Sequence, residues 1–116
     1  MAQLDRSLTQ ERRLELHNKL IEVLGTSGQN PSRVYFQPPE SVKMAYPAIC
    51  YNKDGIRTIH ANDRFYYGKQ RYTVTIIDAD PDSELPVKIL SEFKYCSLDR
   101  TFKSDNLNHT VLTLYY

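Results

Sequence analysis

The chain has 116 residues, of which 41% are hydrophobic and 25% are charged. This length and composition are typical of one globular domain with a single core, and they exclude wholesale disorder. Fifteen Lys and Arg residues against fourteen Asp and Glu residues leave a formal charge of +1. A protein that coats DNA through a strong positive field is therefore not indicated.

The cellular compartment is constrained by apolar runs and by cysteine usage. No apolar run approaches the ~20 residues of a membrane helix, and residues 1–10 have no apolar signal core. We therefore expect no membrane contact and assembly in the cytoplasm. Cys50 and Cys96 fit no Cys-x-x-Cys spacing. We expect them to be buried free thiols, with a single disulfide as the alternative.

The first predicted element is a helix over about 8–24, with Gly25 as the residue that ends it. Its apolar stripe is formed by Leu16, Leu20, Val23 and Leu24, and His17 is expected on its surface. Short strands are predicted over 33–36 and 46–51, followed by a turn at 52–55 that contains Asp54-Gly55.

The clearest strand is predicted over 69–78, where apolar residues alternate. A second helix is predicted over about 83–94, capped by Asp82 or Ser83 and with Pro86 in its first turn. Alternating segments over 95–102 and 110–116 then predict an antiparallel hairpin. The fold class is α+β: two helices packed on a mainly antiparallel sheet of about five strands, which is mixed if 69–102 forms a parallel crossover.

Residues 52–68 read as an extended arm, because their apolar residues do not alternate cleanly, and a short strand over 56–60 is the alternative for that part. Long irregular connections in compact domains are usually functional or disordered. We expect the arm to be buried by a neighbouring subunit, since interface cores favour Tyr and Phe. A loop folded over the domain's own core is the alternative. The candidate interface residues are Ile56, Ile59, Phe65, Tyr66 and Tyr67.

No motif supports catalysis, so no enzyme activity, cofactor or metal is expected. His17, His60 and His109 lie in separate segments without metal-ligand spacing. The acidic run 78–84 has oxygen ligands, but it lacks the glycine and glutamate of an EF-hand, which favours a strand exit and helix cap. The basic and aromatic residues of 64–72 leave a small nucleic-acid-binding domain as a minor alternative.

Several stretches together resemble small neck proteins of bacteriophages with long, non-contractile tails, in the tail terminator or tail completion group. Most of the chain from Arg33 onward shares in the resemblance. The stretches are Val34-Tyr35-Phe36-Gln37-Pro38-Pro39, Tyr46-Pro47-Ala48-Ile49-Cys50-Tyr51, Ala61-Asn62-Asp63, the run from Arg71 to Ser83, and Asp105-Asn106-Leu107-Asn108-His109.

The resemblance implies a structural virion protein with a sheet flanked by helices and no catalytic residues. Tail terminators form a ring, generally a hexamer, that caps the tail tube, stops its polymerisation and forms the docking face for the head connector. The implied partners are copies of the chain, the tail tube protein and the head-completion protein, with DNA passing through the lumen. A head-completion protein, acting as stopper or adaptor of the same joint, is the alternative.

Overall fold

A computed structural model of the chain describes residues 6–29, 32–61 and 64–116, and it describes side chains for 10–29, 32–55 and 70–116. The predicted α+β class is confirmed by two helices and five strands. In chain order these are α1 (Arg6–Leu24), β1 (Val34–Phe36), β2 (Ala48–Ala61), β3 (Arg64–Asp78), α2 (Leu85–Glu92), β4 (Cys96–Ser104) and β5 (Leu107–Tyr115).

The five strands form one sheet in the order β1-β2-β3-β5-β4. Every neighbouring pair is antiparallel except β1 and β2, which are parallel. The predicted hairpin of β4 and β5 is confirmed. Strands β3 and β4 run parallel because each is antiparallel to β5, which lies between them. The predicted parallel crossover over 69–102 is therefore present, with β5 between its two strands, and the sheet is mixed because β1 and β2 are an adjacent parallel pair.

Both helices pack on one face of this sheet and share a single core with it. Alternate residues of β3, namely Tyr72, Val74 and Ile76, are buried against the helices. This is the period of two that the sequence predicts for a half-buried strand. Burying each such side chain stabilises the fold by roughly 1.5–3 kcal/mol. The other members of the core are Leu16, Leu20, Val34, Ile49, Tyr51, Leu85, Ile89, Phe93, Leu112 and Leu114.

The ends of the two helices follow from local chemistry. Gly25 has a φ of 78° and ends α1 as predicted, and the N–H of Thr26 donates to the carbonyl of Ile21. Helix α2 begins at Leu85, with the N-cap at Glu84 rather than at the predicted Asp82 or Ser83. The Ser83 hydroxyl still accepts a hydrogen bond from the Leu85 N–H.

Candidate assembly surface

Strands β2 and β3 continue beyond the rest of the sheet as a two-stranded ribbon, which we define as residues 55–61 and 64–70. Strand β1 pairs only with residues 49–51 of β2, and β5 pairs with β3 only from Arg71 onward. No other strand in the described ranges pairs with the ribbon. At ~3.3 Å per residue the ribbon projects about 20 Å. This projection accounts for the elongated shape of the molecule, which measures 50 × 28 × 26 Å.

The predicted extended arm over 52–68 is regular rather than irregular, because residues 52–61 and 64–68 are strand. Ile59 pairs with Tyr67 and His60 pairs with Phe65, so Tyr66 is an extra residue between the two pairs. The two strands pair with each other, which is not the arrangement of a loop folded over the core. The turn predicted at Asn62-Asp63 lies outside the described residues.

The predicted turn at 52–55 is also wrong, because β2 passes straight through it. Lys53 pairs with Tyr72 and Gly55 pairs with Arg71, which leaves Asp54 as the extra residue of a β-bulge. Gly55 has a φ of 145°, a conformation that side chains rarely adopt. The Asp-Gly dipeptide therefore supplies the backbone freedom of a bulge instead of a turn.

Side chains of β3 hold this bulge at the base of the ribbon. Arg71 Nη2 donates to the Asp54 carbonyl oxygen at 2.8 Å, and Arg71 Nε lies 3.3 Å from Asp54 Oδ2. The same carboxylate oxygen accepts the Thr73 hydroxyl at 3.0 Å, and Gln70 Nε2 donates to the Gly55 carbonyl. Bulges bend a strand and increase its twist. These bonds therefore fix the direction in which the ribbon leaves the sheet.

The five predicted interface residues all lie in the ribbon, with Ile56 and Ile59 on β2 and the aromatic run 65–67 on β3. Their side chains lie outside the described part of the chain. An isolated two-stranded hairpin is only marginally stable in water. Its outer edges also present backbone N–H and C=O groups that another chain can pair with. The backbone therefore places all five residues on one two-stranded element.

A polar cluster between α1 and the sheet was missed at the level of sequence. His17, predicted on the helix surface, is half-buried, and its Nδ1 lies 2.6 Å from the Tyr51 hydroxyl. Burial, and secondarily the neighbouring Arg13 guanidinium, lower the pKa of His17. Arg13 in turn lies over the Phe36 ring at 4.3 Å from its centroid. The Tyr51 hydroxyl at the sheet explains why a polar side chain occupies this face of α1.

His109 and the acidic run 78–84 lie in the part of the chain whose side chains are described. Among the described residues, no group of three His, Cys, Asp or Glu side chains could hold a metal ion. Asp78 Oδ1 accepts the Asp80 N–H at 3.0 Å, and Asp80 Oδ1 accepts the Asp82 N–H at 2.9 Å. The carboxylates thus shape their own loop, in agreement with the predicted strand exit. His109 stacks on Phe102 with ring centroids 4.6 Å apart, and the His60 side chain is not described.

The two cysteines are free, as predicted, but they are half-buried rather than buried, and they lie on different strands. Burial raises the pKa of the Cys50 thiol and of the Cys96 thiol to about 11 in each case. The thiolate that nucleophilic attack or metal binding requires is therefore disfavoured. Cys50 Sγ lies 3.4 Å from Met44 Sδ, which places it against the segment that follows β1.

Neither helix, over the part of the chain that the structure describes, is long and apolar enough to cross a membrane. Comparison of the sequence with protein-family models gives no match, and comparison with curated proteins gives none either.

Proposed function

We propose that the chain is a structural protein of the phage neck, a tail terminator that caps the tail tube as a hexameric ring. The observation that carries the proposal is the ribbon: two paired strands project about 20 Å from the sheet, with no further strand beside them in the described ranges. That this assembly is a phage neck is inferred from the resemblance to tail terminator and tail completion proteins.

The structure supports the proposal in the arrangement of the similar stretches. The stretch at 34–39 contains β1, and the stretch at 46–51 enters β2. The run 71–83 contains the half of β3 that pairs with β5, together with the loop before α2. The stretch at 105–109 is the turn between β4 and β5 and the start of β5. Four of the five similar stretches thus lie in the sheet or in the segments next to its strands, and the fifth, 61–63, lies mostly outside the described residues.

A terminator works because the two faces of its ring bind different partners. Each protomer binds the next head to tail, and the contacts close into a ring when the rotation between protomers fits. One face of the ring binds the last layer of tube protein, and the other binds the head-completion protein. Because the second face does not match another tube layer, the tube stops growing. The proposal assigns no catalytic residue, cofactor or metal, and DNA only passes through the lumen.

The test combines purified protein with tail tubes and with a phage that lacks the gene. We expect rings at one end of the tubes in electron micrographs, and overlong or unjoined tails without the gene. A chain that stays monomeric in the presence of tube ends overturns the proposal. Filled heads that leak DNA, with tails of normal length, identify the head-completion protein instead. Steep salt-dependent DNA binding without ring formation identifies a nucleic-acid-binding domain.

A further inference from the structure

A groove of about 310 Å³ lies where the C-terminal end of α2 meets the end of β5 and the start of β4. Its lining combines aromatic and charged side chains, including Arg12, Lys19, Glu92, Lys94, Tyr95 and Tyr116. We call it the basic groove, because three of its side chains are cations and one is a carboxylate.

The cations of the basic groove are held in place by aromatic rings. The guanidinium of Arg12 lies 5.4 Å from the centroid of the Tyr116 ring, and Lys19 Nζ lies 5.2 Å from the same centroid. Lys94 Nζ lies 5.4 Å from the centroid of the Tyr95 ring. A second carboxylate, Glu15, accepts a hydrogen bond from the Tyr116 hydroxyl at the groove's edge. Arg12 and Lys94 are exposed, so both present positive charge to solvent.

The acidic loop, which we define as residues 78–84, differs from the basic groove in the sign of its charge and in its position on the protomer. It carries four carboxylates and no cation over seven residues, and residues 79–82 are all exposed. Two hydrogen bonds from its own backbone to the carboxylates of Asp78 and Asp80 hold its shape. A surface that is already ordered loses little conformational entropy when it binds.

The loop and the groove lie at opposite ends of the sheet. Asp78, where the loop begins, pairs with Asn108, whereas Arg71 pairs with Tyr115 beside the groove. Seven steps along the strand, at ~3.3 Å each, separate these positions by about 23 Å. Helix α2 lies between them in sequence, since the loop leads into its first residue and the groove follows its last. One protomer therefore cannot bring its own loop into its own groove.

We infer that the acidic loop of one protomer binds the basic groove of a second copy of this chain. The contact joins opposite ends of the protomer, so it is heterologous and repeats from copy to copy, as a ring requires. It is also continuous with the ribbon, because the Tyr116 N–H donates to the Gln70 carbonyl at the ribbon's base at 3.0 Å. The inference rests on the proposed function and names a subunit contact within it. Charge pairing at such a contact sets register and partner choice.

The test exchanges charges between the two surfaces. Asp80→Lys/Asp82→Lys reverses the loop, and Arg12→Glu/Lys94→Glu reverses the groove. We expect the wild-type chain to self-associate in analytical ultracentrifugation at low ionic strength, and to dissociate as salt screens the contact. Each double variant alone should associate at least about 100-fold more weakly, because like charges then face each other. An equimolar mixture of the two should associate again. Lys43→Glu/Arg100→Glu, which makes the same change in charge as the groove variant at exposed positions outside both surfaces, should behave as wild type.

The outcomes separate this contact from the proposed function. Rings that form equally well with either reversed surface overturn the contact and leave the ring intact. A wild-type chain that is monomeric up to ~0.5 mM, yet still caps tubes, also overturns the contact alone. Variants that fail to associate in the mixture overturn it as well, provided that circular dichroism shows each to be folded. A chain that neither associates nor caps tubes overturns both.

Discussion

Arg71 contacts Asp54 at two points, donating to its backbone carbonyl at 2.8 Å and pairing with its carboxylate at 3.3 Å. The contact spans the two strands where the ribbon leaves the sheet. Both side chains are about half exposed, so the ion pair itself adds roughly 0–1 kcal/mol. Its larger effect is geometric, because it holds the bulged residue in one position and so orients the ribbon.

Gly55→Ala is expected to disturb the bulge at the base of the ribbon. The added Cβ would lie 3.1 Å from Arg71 Nη2, and the φ of 145° is strained for any residue with a side chain. We expect a loss of about 1–3 kcal/mol in the free energy of unfolding, measured by urea denaturation. Ring formation should weaken as well, because the ribbon changes direction. An unchanged unfolding midpoint and unchanged assembly would show that the bulge does not set the ribbon.

Alanine at the aromatic run 65–67 tests the ribbon as an interface. We expect Phe65→Ala, Tyr66→Ala and Tyr67→Ala to weaken assembly by about 10-fold or more each, since aromatic side chains dominate interface energies. The melting temperature of the monomer should fall little. The matched control is Leu98→Ala, which truncates a side chain that is 54% exposed on β4 and should leave assembly unchanged. A lower melting temperature with assembly intact would place these rings in the protomer's own core.

The parts of the fold that could be predicted from the sequence are those where the local residue pattern is compatible with only one structure. The alternation of Tyr72, Val74 and Ile76 predicts a half-buried strand, and the sheet confirms it. Asp54-Gly55 serves a bulge as readily as a turn, and only the pairing with Arg71 decides between them. The extra residue Tyr66 shifts the alternation of β3 by one position, which made this part of the ribbon look irregular in sequence.

The ribbon and the basic groove also differ in whether the sequence alone could predict them. The five ribbon residues could be named from sequence because apolar and aromatic side chains stood outside any clear element. The basic groove could not, because Arg12, Lys94 and Tyr116 come from three distant segments that only the fold brings together. His17 was misplaced for the same reason, since its partner Tyr51 lies on another element.

The His17–Tyr51 hydrogen bond predicts a dependence of stability on pH. Burial lowers the pKa of His17 in the folded protein below its ordinary value of 6.5. The unfolded chain therefore binds a proton first as pH falls, so the free energy of unfolding decreases as the solution is acidified through 6.5. The stabilisation is fully present above that pH. His17→Gln removes this titration.

Urea denaturation at several pH values between neutrality and about 5 measures the effect. The two proteins differ only at position 17, so the difference between wild type and His17→Gln isolates this residue. Wild type should lose stability more steeply on acidification than the variant. Parallel pH profiles for the two proteins would show that His17 is not held in its neutral form by the fold.

Helix α2 offers a matched pair of substitutions that tests its packing on the sheet. Ile89 is fully buried, whereas Val87 is 65% exposed two residues earlier. Ile89→Ala should lower the free energy of unfolding by about 2–5 kcal/mol, because it leaves a cavity in the core. Val87→Ala should change it by less than about 0.5 kcal/mol. Similar losses for both variants in urea denaturation would contradict the placement of α2.

The cysteines test how tightly the sheet and its covering segments are packed. With the pKa of both thiols raised to about 11, little thiolate is present near neutral pH, and half-burial restricts access further. We expect a disulfide reagent such as Ellman's to modify folded protein at least about 10-fold more slowly than protein in denaturant. The variants Cys50→Ala and Cys96→Ala each leave one thiol, so they show which cysteine is responsible for an observed rate of modification. Rapid modification of the Cys50 thiol would show that the segment carrying Met44 does not cover it.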